Sequence, residues 1–557
     1  MTKRIDRRTF VRGAAVGAGA LILGPASSLL PRAARAATLD GVFRQGVASG
    51  EPGPRAITLW TRLDELDHPA VVDLEVATDA TFANVVHRAQ VPVEPDRDFT
   101  ARARLQDGFL APGEEYHYRF ATAGADSPVG RFRTARPAGS RERVRIAFFS
   151  CQEFIAGFYT AHADLARQDV DLVVCLGDYI YEQAFADQTS RNAPVRADDA
   201  AADGEAQTLA EYRRKYSLYH TDERLLEVRR QFPLLAIWDD HEVEDNYAGE
   251  TQGGAAGNRR VPFAERRANG YRAWYEHMPR VGTGDIYGAV PLGAADVFLL
   301  DTRQYRDDQP CNPSDAFLSN PCPPSETDAP GRTLLGATQK AWLKDALAAS
   351  QARWKLIANQ VMITSLDAPP HNPLNTDSWD GYGAERAELI DHIASRGIED
   401  VAFITGDIHT YFAGNVTRTG RHTPIDGPVR ATEFVCGSIT SPGIVDRVAD
   451  SEPERVAAAA LIDAAVLGNN PQIVYSNQAY KGYGLVEATA GELRVTYRAV
   501  RETRRQPSEA FTLRSFRVAA GEPAVIDEGG PLPLPAPAAP GPLPDRLTPQ
   551  ALSAGAA

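Results

Sequence analysis

The chain has 557 residues, a length that predicts two or three packed units rather than one ordinary domain. It is 43% hydrophobic and 24% charged, which excludes a mainly disordered or fibrous protein. Its 59 basic and 73 acidic side chains give a net charge of −14, which argues against nucleic-acid binding through overall charge and supplies oxygen ligands for hard cations.

Residues 1–36 are interpreted as a twin-arginine signal peptide. Arg7 and Arg8 precede a short apolar run at 14–23, and a small-residue cleavage pattern follows at 34–36. The alternative is a membrane anchor, but the apolar run of about 10–17 residues is shorter than the roughly 20 that a spanning helix needs. We therefore expect export by the twin-arginine machinery to the periplasm or the medium, and no transmembrane segment.

Residues 40–136 are predicted to form a smaller all-β sandwich. Short alternating strands are separated by regularly spaced turn residues, and no helical stripe of useful length occurs. The segment at 110–118, LAPGEEYHY, resembles the turn and tyrosine before a late strand of fibronectin III-like domains. A short linker at 137–140 is expected to follow.

Residues 141–527 are predicted to form an α/β domain. Near-continuous apolar runs such as VRIAFFS and DVAFITGD indicate strands buried on both faces of a sheet. Helical patterns lie between the strands, at 158–167, 263–277, 339–349 and 384–395. Residues 528–557 are Pro-rich, which indicates an extended and poorly packed tail.

Four polar clusters follow the predicted strands, at 150–152, 177–182, 238–242 and 406–409. Taken singly, an Asp after a strand is more often a helix cap. Four clusters at successive strand ends are harder to explain by capping, because ligands of α/β sheets bind at that edge. Together the clusters offer carboxylates, imidazoles, a thiolate and a phenolate, which indicates a transition-metal site beside hard-cation sites.

These blocks make the chain similar to the D-type alkaline phosphatase family of the metallophosphoesterase superfamily. The resemblance rests on SCQ, GDYIYE, WDDHEVEDNY, LDTRQYR, DSWDGY and GDIH, and it covers nearly all the chain after the signal. It implies a metallophosphoesterase-like α/β sandwich behind the smaller β-sandwich. Cys151, Asp240 and Asp407 depart from the wider superfamily pattern in the way this family does, which implies Fe³⁺ and Ca²⁺, one iron and two calcium ions.

The resemblance also implies roles for individual residues. The implied iron ligands are Cys151, Asp178, Tyr181 and His409. The implied calcium ligands are Asp178, Asp240 and Asp407, with Asn246 as a further one. His241 is expected to contact phosphate or to assist the leaving group.

Three residues with weaker signals have two interpretations each. Arg303 either neutralises phosphate charge or forms an ordinary salt bridge after a buried strand. Trp379 and Tyr382 either wall the substrate pocket or pack locally.

Cys311 and Cys322 bracket a loop rich in Pro, Asn and Ser in a chain expected to reach an oxidising compartment, so we predict a disulfide between them.

The expected activity is hydrolysis of phosphomonoesters and phosphodiesters by metal-activated water or hydroxide attacking phosphorus. Within the same family, a phospholipase D-like phosphodiesterase acting on phospholipid is the alternative. A secreted binding protein with structural calcium is a remote alternative, because structural calcium has no use for Cys151 or His409.

Overall fold

The computed structural model describes residues 42–106, 108–184, 204–254, 259–311, 322–368, 372–419 and 427–532. The predicted signal peptide lies outside these ranges, as does the predicted tail beyond residue 532. Within them, no helix has both the length and the apolar character that crossing a membrane requires.

The amino-terminal part of the described chain is built from strands. They are β1 (Val47–Gly53), β2 (Ala56–Arg62), β3 (Ala70–Ala77), β4 (Val85–Val93), β5 (Thr100–Leu105), β6 (Glu115–Ala121) and β7 (Gly130–Arg133). They form a three-stranded sheet β1-β2-β5 and a four-stranded sheet β4-β3-β6-β7. Leu59 of β2 and Leu74 of β3 belong to one apolar cluster, so both sheets contribute to a common core. The fibronectin III-like topology and the boundary at 136 stay predictions.

The rest of the chain contributes sixteen further described strands. They are β8 (Val144–Phe149), β9 (Leu172–Cys175), β10 (Leu234–Ala236), β11 (Gly288–Pro291), β12 (Ala295–Leu299), β13 (Trp354–Asn359), β14 (Asp367–Ala368), β15 (Asn372–Pro373), β16 (Val401–Thr405), β17 (Tyr411–Val416), β18 (Ala431–Val435), β19 (Ile473–Asn477), β20 (Lys481–Ala488), β21 (Glu492–Val500), β22 (Ala510–Ala519) and β23 (Glu522–Gly529).

Two mixed seven-stranded sheets form the α/β part. Their strand orders are β10-β9-β8-β20-β21-β22-β23 and β11-β12-β13-β16-β18-β17-β19. Strands β8, β9 and β10 are parallel in the first sheet, and β12, β13, β16 and β18 are parallel in the second. Phe148 of the first sheet and Ile404 of the second belong to one buried cluster, so the two sheets share an apolar core.

The described helices lie between the strands. They are α1 (Thr160–Leu165), α2 (Leu209–Tyr219), α3 (Glu223–Gln231), α4 (Phe263–His277), α5 (Pro324–Thr327), α6 (Gly336–Ala349), α7 (Gly383–Ser395) and α8 (Glu452–Asn469). Leu343 of α6 and Leu389 of α7 pack with Phe403 of β16 in a second buried cluster. Helices therefore cover a face of the second sheet, as the predicted mixed α/β architecture requires.

The structure contains elements that the sequence analysis did not predict. Among the described helices these are α2, α3, α5 and α8. In addition, β23 continues through Glu528 to Gly529, two residues into the range predicted as tail. Pairing of Gly529 with Ser515 and the ion pair between Arg514 and Asp527 hold this end of the strand in the sheet.

Candidate metal centre

The candidate site lies where the carboxyl ends of parallel strands from both sheets meet. The loops after β8, β9 and β10 come from the first sheet and the loop after β16 comes from the second. Within these loops, three groups of side chains have ligand atoms within 4.8 Å of one another. The groups are Cys151, Asp178 and His409; Asp178, Asp240 and His241; and Asp239, Asp240 and Asp407.

All four predicted iron ligands lie together. Cys151, Asp178 and His409 form the first group. The Tyr181 hydroxyl lies 2.9 Å from Asp178 Oδ2 and 3.2 Å from His409 Nε2. Sulfur, phenol, imidazole and carboxylate therefore converge on one point, although up to 258 positions separate them along the chain (409 − 151).

The predicted calcium ligands share the adjoining carboxylate groups. Asp178 and Asp240 each occur in two of the three groups, so each could bridge neighbouring ions. Asn246 lies against Asp240, since its backbone N–H donates to Asp240 Oδ2 at 2.6 Å. Whether the Asn246 side chain binds an ion stays a prediction.

The carboxylates retain oxygen atoms that could bind cations. Among the described residues, Asp178 Oδ1, Asp239 Oδ2 and Asp240 Oδ1 are buried and have no hydrogen-bond partner. A buried polar atom without a partner is costly, and a buried carboxylate needs a compensating charge. Oxygen ligands suit hard cations, whereas sulfur and imidazole suit a transition metal. The donor set therefore fits both kinds of ion.

The ligand positions also carry backbone strain. Twelve non-glycine residues in the described ranges have positive φ, and five of them are predicted ligands. Those five are Cys151, Asp178, Asn246, Asp407 and His409, with φ between 54° and 66°. Such a conformation costs of order 1–3 kcal/mol per residue and persists only where the surroundings impose it. Cys151, Asp178, Asp407 and His409 lie within four residues of the ends of β8, β9 and β16, where the chain turns off its strand.

Two neighbouring residues hold these loops in place. Gly177 has φ +110°, and a Cβ there would come within 2.4 Å of Asp239 Cβ, so only glycine fits. The buried Glu242 carboxylate accepts backbone N–H bonds from Asp178, Tyr179 and Asp239 at 2.6–3.1 Å. One side chain thereby joins the loop after β9 to the loop after β10.

His241 lies between two acidic residues. Its Nδ1 is 2.8 Å from Glu182 Oε2, and its Nε2 is 3.7 Å from Asp245 Oδ1. Burial works against protonation, but Glu182 foremost, with Asp240 and Asp178, raises the pKa of His241 well above its usual value. In the metal-free protein these carboxylates therefore favour the protonated form of His241, which could bind an anion or donate a proton.

Arg303 is fully buried among the acidic residues. Its two Nη atoms lie 2.9 and 2.7 Å from the two Asp377 carboxylate oxygens, and its Nε bonds to Asp239. Asp240 and Asp407 lie 3.6 and 3.8 Å from Nη2. The geometry therefore favours the ion-pair interpretation of Arg303 over direct neutralisation of phosphate.

Trp379 and Tyr382 are fully buried in the cluster that packs between α6, α7 and the second sheet. Trp379 Nε1 bonds to Asn359 Oδ1 at 3.3 Å, and the Tyr382 hydroxyl donates to the Asp307 carbonyl at 2.6 Å. The structure thus favours local packing over a pocket wall for both residues, because buried aromatic rings fill the core. Cys311 and Cys322 are joined by a disulfide.

Four residues that contact the site were not among the predicted site residues: Asp239, Glu182, Glu242 and Asp377. Asp239, Glu182 and Glu242 occur inside the WDDHE and GDYIYE blocks, and Asp377 begins DSWDGY. Their position inside those sequence blocks was the signal that could have identified them as site residues. Their partners could not be assigned, because each contacts a residue more than 50 positions away or a backbone amide of another loop.

The acidic groups of the site predict that the metal-free protein loses stability at alkaline pH. Burial raises the pKa of Asp239 to about 7 and that of Glu242 to about 8, and it raises the pKa of Asp178 and Asp407 well above their usual value. The unfolded chain loses these protons near pH 4, so the folded state holds extra protons at neutral pH. Stability contributed by such groups is lost as pH rises through the folded pKa values.

We therefore expect the unfolding free energy of chelator-treated protein to fall between pH 7 and pH 9. The slope is about 1.4 kcal/mol per pH unit for each extra proton that the folded state holds. Urea unfolding at a series of pH values measures it. Metal-loaded protein is the control and should show a flatter profile, because cations displace these protons. A stability that is constant or rises over this range would contradict the prediction.

Family models and a curated relative both match this chain to PhoD-like phosphatases. A family model described as PhoD-like phosphatase matches residues 146–497, and one for the PhoD-like phosphatase N-terminal domain matches residues 29–136. Alkaline phosphatase D of Bacillus subtilis (strain 168) is 35% identical over 518 residues, covering 89% of this chain and 84% of that protein.

Two solved structures are similar. A structure of PhoD matches with a TM-score of 0.80 and 32% identity, covering 90% of this chain and 95% of the other. The purple acid phosphatase PPD1 from yellow lupin (Lupinus luteus) seeds matches with a TM-score of 0.52 and 11% identity, over 85% of this chain and 73% of the other. The second likeness concerns the fold alone.

Proposed function

Because the chain belongs to the PhoD-like phosphatase family, we propose that it is an exported, metal-dependent phosphoesterase that hydrolyses phosphomonoesters and phosphodiesters. The observation that carries the proposal is the meeting of Cys151, Asp178, Tyr181 and His409 beside buried carboxylate oxygens that have no hydrogen-bond partner. A protein that used calcium only for stability would need oxygen ligands alone, so the sulfur and imidazole favour an enzyme.

We assign the ions as the family resemblance implies, and the donor chemistry agrees with that assignment. Ferric iron would be held by Cys151, Asp178, Tyr181 and His409, because thiolate, phenolate and imidazole suit a transition metal. Two calcium ions would be held by the carboxylates of Asp178, Asp240 and Asp407, with Asn246 as a further ligand and Asp239 added by its place in the third group. His409 Nδ1 lies 2.9 Å from the Pro442 carbonyl, so Nδ1 carries the proton and Nε2 is the ligand atom.

The protein's own side chains supply the remaining chemistry. Cations held by these ligands would supply Lewis acidity, which would neutralise charge on the phosphoryl oxygens and lower the pKa of the attacking water. His241 as an imidazolium binds a phosphoryl oxygen or gives its Nε2 proton to the departing alcohol oxygen as the phosphorus–oxygen bond breaks. Glu182 holds His241 in position through Nδ1, and Arg303 keeps the crowded carboxylates in place.

The metal assignment predicts a coloured protein. Purified protein should contain iron and calcium, and the bond between the Tyr181 phenolate and Fe³⁺ should make it violet. Tyr181→Phe should abolish the visible band, because it removes the phenolate, whereas Tyr179→Phe should retain it. Absorption spectra and elemental analysis measure both effects. Stoichiometric zinc without iron, or a band that survives in Tyr181→Phe, would contradict the assignment.

The same preparation tests the substrate class. p-Nitrophenyl phosphate, bis-p-nitrophenyl phosphate and phosphatidylcholine represent a monoester, a diester and a phospholipid. Hydrolysis of the first two supports the proposal, whereas turnover of phosphatidylcholine alone would support the phospholipase D-like alternative. Failure to hydrolyse any phosphoester would overturn the proposed function.

The cellular location and domain limits belong to the same proposal. Export by the twin-arginine route to the periplasm or medium rests on the sequence of residues 1–36, and the limits at 40–136 and 141–527 rest on the change in sequence pattern.

A further inference from the structure

The turn at 437–443, GSITSPG, lies against the candidate iron site, and its hydroxyl groups have no role in the function proposed above. It follows β18, and its backbone meets the loop after β8: the N–H groups of Ile439 and Ser441 donate to the carbonyls of Ser150 and Cys151 at 3.1 and 3.3 Å. Backbone hydrogen bonds therefore connect the turn to the loop that carries Cys151, the predicted thiolate ligand.

Two consecutive residues of the turn contact two different ligands. Ser441 Oγ lies 2.7 Å from the Tyr181 hydroxyl oxygen. The Pro442 carbonyl lies 2.9 Å from His409 Nδ1. A shift of this short segment would move the phenol and the imidazole together.

The hydrogen-bond partners of Ser441 determine which acceptor its hydroxyl group donates to. The Glu153 N–H donates to Ser441 Oγ at 3.2 Å, which leaves the hydroxyl proton for the Cys151 carbonyl at 2.9 Å or the Tyr181 oxygen at 2.7 Å. Tyr181 donates its own proton to Asp178 at 2.9 Å, so its oxygen can accept. The Tyr181 oxygen is the nearer of these two acceptors, so the geometry favours donation of the Ser441 proton to Tyr181.

We propose that Ser441 is a positioning residue of the iron centre, which donates a hydrogen bond to the Tyr181 phenolate oxygen and tunes its donation to the metal. The inference rests on the iron site proposed above. A hydrogen bond to a ligand atom withdraws electron density from it, and partners of this kind hold ligands in place and tune the metal. Without the bond, the phenolate donates more strongly, so its charge-transfer band to Fe³⁺ moves to longer wavelength.

The surroundings leave Ser441 little freedom to move. It is fully buried, and the Ser438 hydroxyl donates to its carbonyl at 2.5 Å. On the other side of Pro442, the Gly443 N–H donates to Asp446, and Lys481 joins Asp446 to the His409 carbonyl at 2.9 and 3.0 Å. These bonds hold the hydroxyl at the phenol in the folded protein.

The test compares Ser441→Ala with Thr440→Val in the full-length, iron-loaded protein. Thr440 lies in the same turn, but its hydroxyl donates to the Glu153 carbonyl at 2.7 Å rather than to a predicted metal ligand. Ser441→Ala should shift the visible band to longer wavelength at equal iron content and weaken iron binding about 10–100-fold in competition with a chelator. Thr440→Val should leave both unchanged. Ser441→Gly also lacks the hydroxyl and should reproduce the alanine result if Ser441→Ala fails to fold.

The outcomes separate this inference from the proposed function. A violet wild type with an unshifted band and unchanged iron affinity in both hydroxyl-free variants would overturn the role of Ser441 and leave the iron site intact. An equal shift in Thr440→Val would overturn it as well, because the effect would then belong to the turn as a whole. A wild type without an iron band would overturn the iron assignment itself, and the inference with it.

Discussion

Asp178→Asn is expected to lower kcat for phosphoester hydrolysis by about a thousandfold, a loss of about 4 kcal/mol of transition-state stabilisation. Asp178 is shared by the group containing Cys151 and His409 and the group containing Asp240 and His241. Its Oδ1 has no hydrogen-bond partner, and its Oδ2 meets the Tyr181 hydroxyl. A neutral amide cannot supply the bridging anion, so both ion sites should weaken at once.

The fold should survive this substitution. Asp178 is a buried acid with a raised pKa, so an amide of the same shape removes a group that opposes folding at neutral pH. Steady-state kinetics measure the loss of turnover, metal content measures the weakening of the ion sites, and urea unfolding measures the stability of the fold. Asp463→Asn is the matched control, because Asp463 is buried and bonded to Ser476 but belongs to none of the three metal groups. Near-normal turnover in Asp178→Asn would remove this residue from the site.

Arg303→Met is expected to destabilise the metal-free protein by about 3–5 kcal/mol, because it removes the cation from a buried ion pair. The guanidinium bonds to Asp239 and Asp377 and lies within 4 Å of Asp240 and Asp407. Methionine fills a similar volume without charge, so three buried carboxylates and the partly exposed Asp407 carboxylate would lose their common partner. Urea unfolding of chelator-treated protein measures the loss.

A double-mutant cycle identifies the cause of this loss. Arg303→Met combined with Asp377→Asn should cost less than the sum of the two single substitutions, since each removes a partner of the other. Added calcium should restore part of the stability by replacing the lost positive charge. If Arg303→Met stays within about 1 kcal/mol of wild type but raises KM, Arg303 contacts phosphate instead.

Local sequence signals were sufficient for about half of the described strands and several helices. Helix α4 was predicted with the bounds that the structure has, and the predicted strands at 144–150 and 400–407 contain β8 and β16. Buried parallel strands read as apolar runs because both faces are covered, so their ends can be found from one sequence. The candidate metal centre lies among the polar residues that follow those strand ends, where the sequence analysis predicted it.

The failure to predict helices α2 and α8 can be explained from their sequences. Helix α2 is rich in charged and tyrosine residues, so its apolar stripe is weak. Helix α8 does carry a start signal, because Ser451 and Glu454 form a capping box with Pro453 in the first turn. The alanine-rich sequence after that signal could have been predicted as a helix.

What the sequence determined by itself was the chemistry available at each strand end: a thiol at 151, carboxyls at 178, 240 and 407, a phenol at 181 and an imidazole at 409. Only the tertiary structure decided which donors share a point in space, that Arg303 binds carboxylates, and that Trp379 and Tyr382 lie in the core. The physical reason is that these distances depend on the order and register of strands in two sheets. Pairings between segments hundreds of residues apart set that order, and no local pattern encodes them.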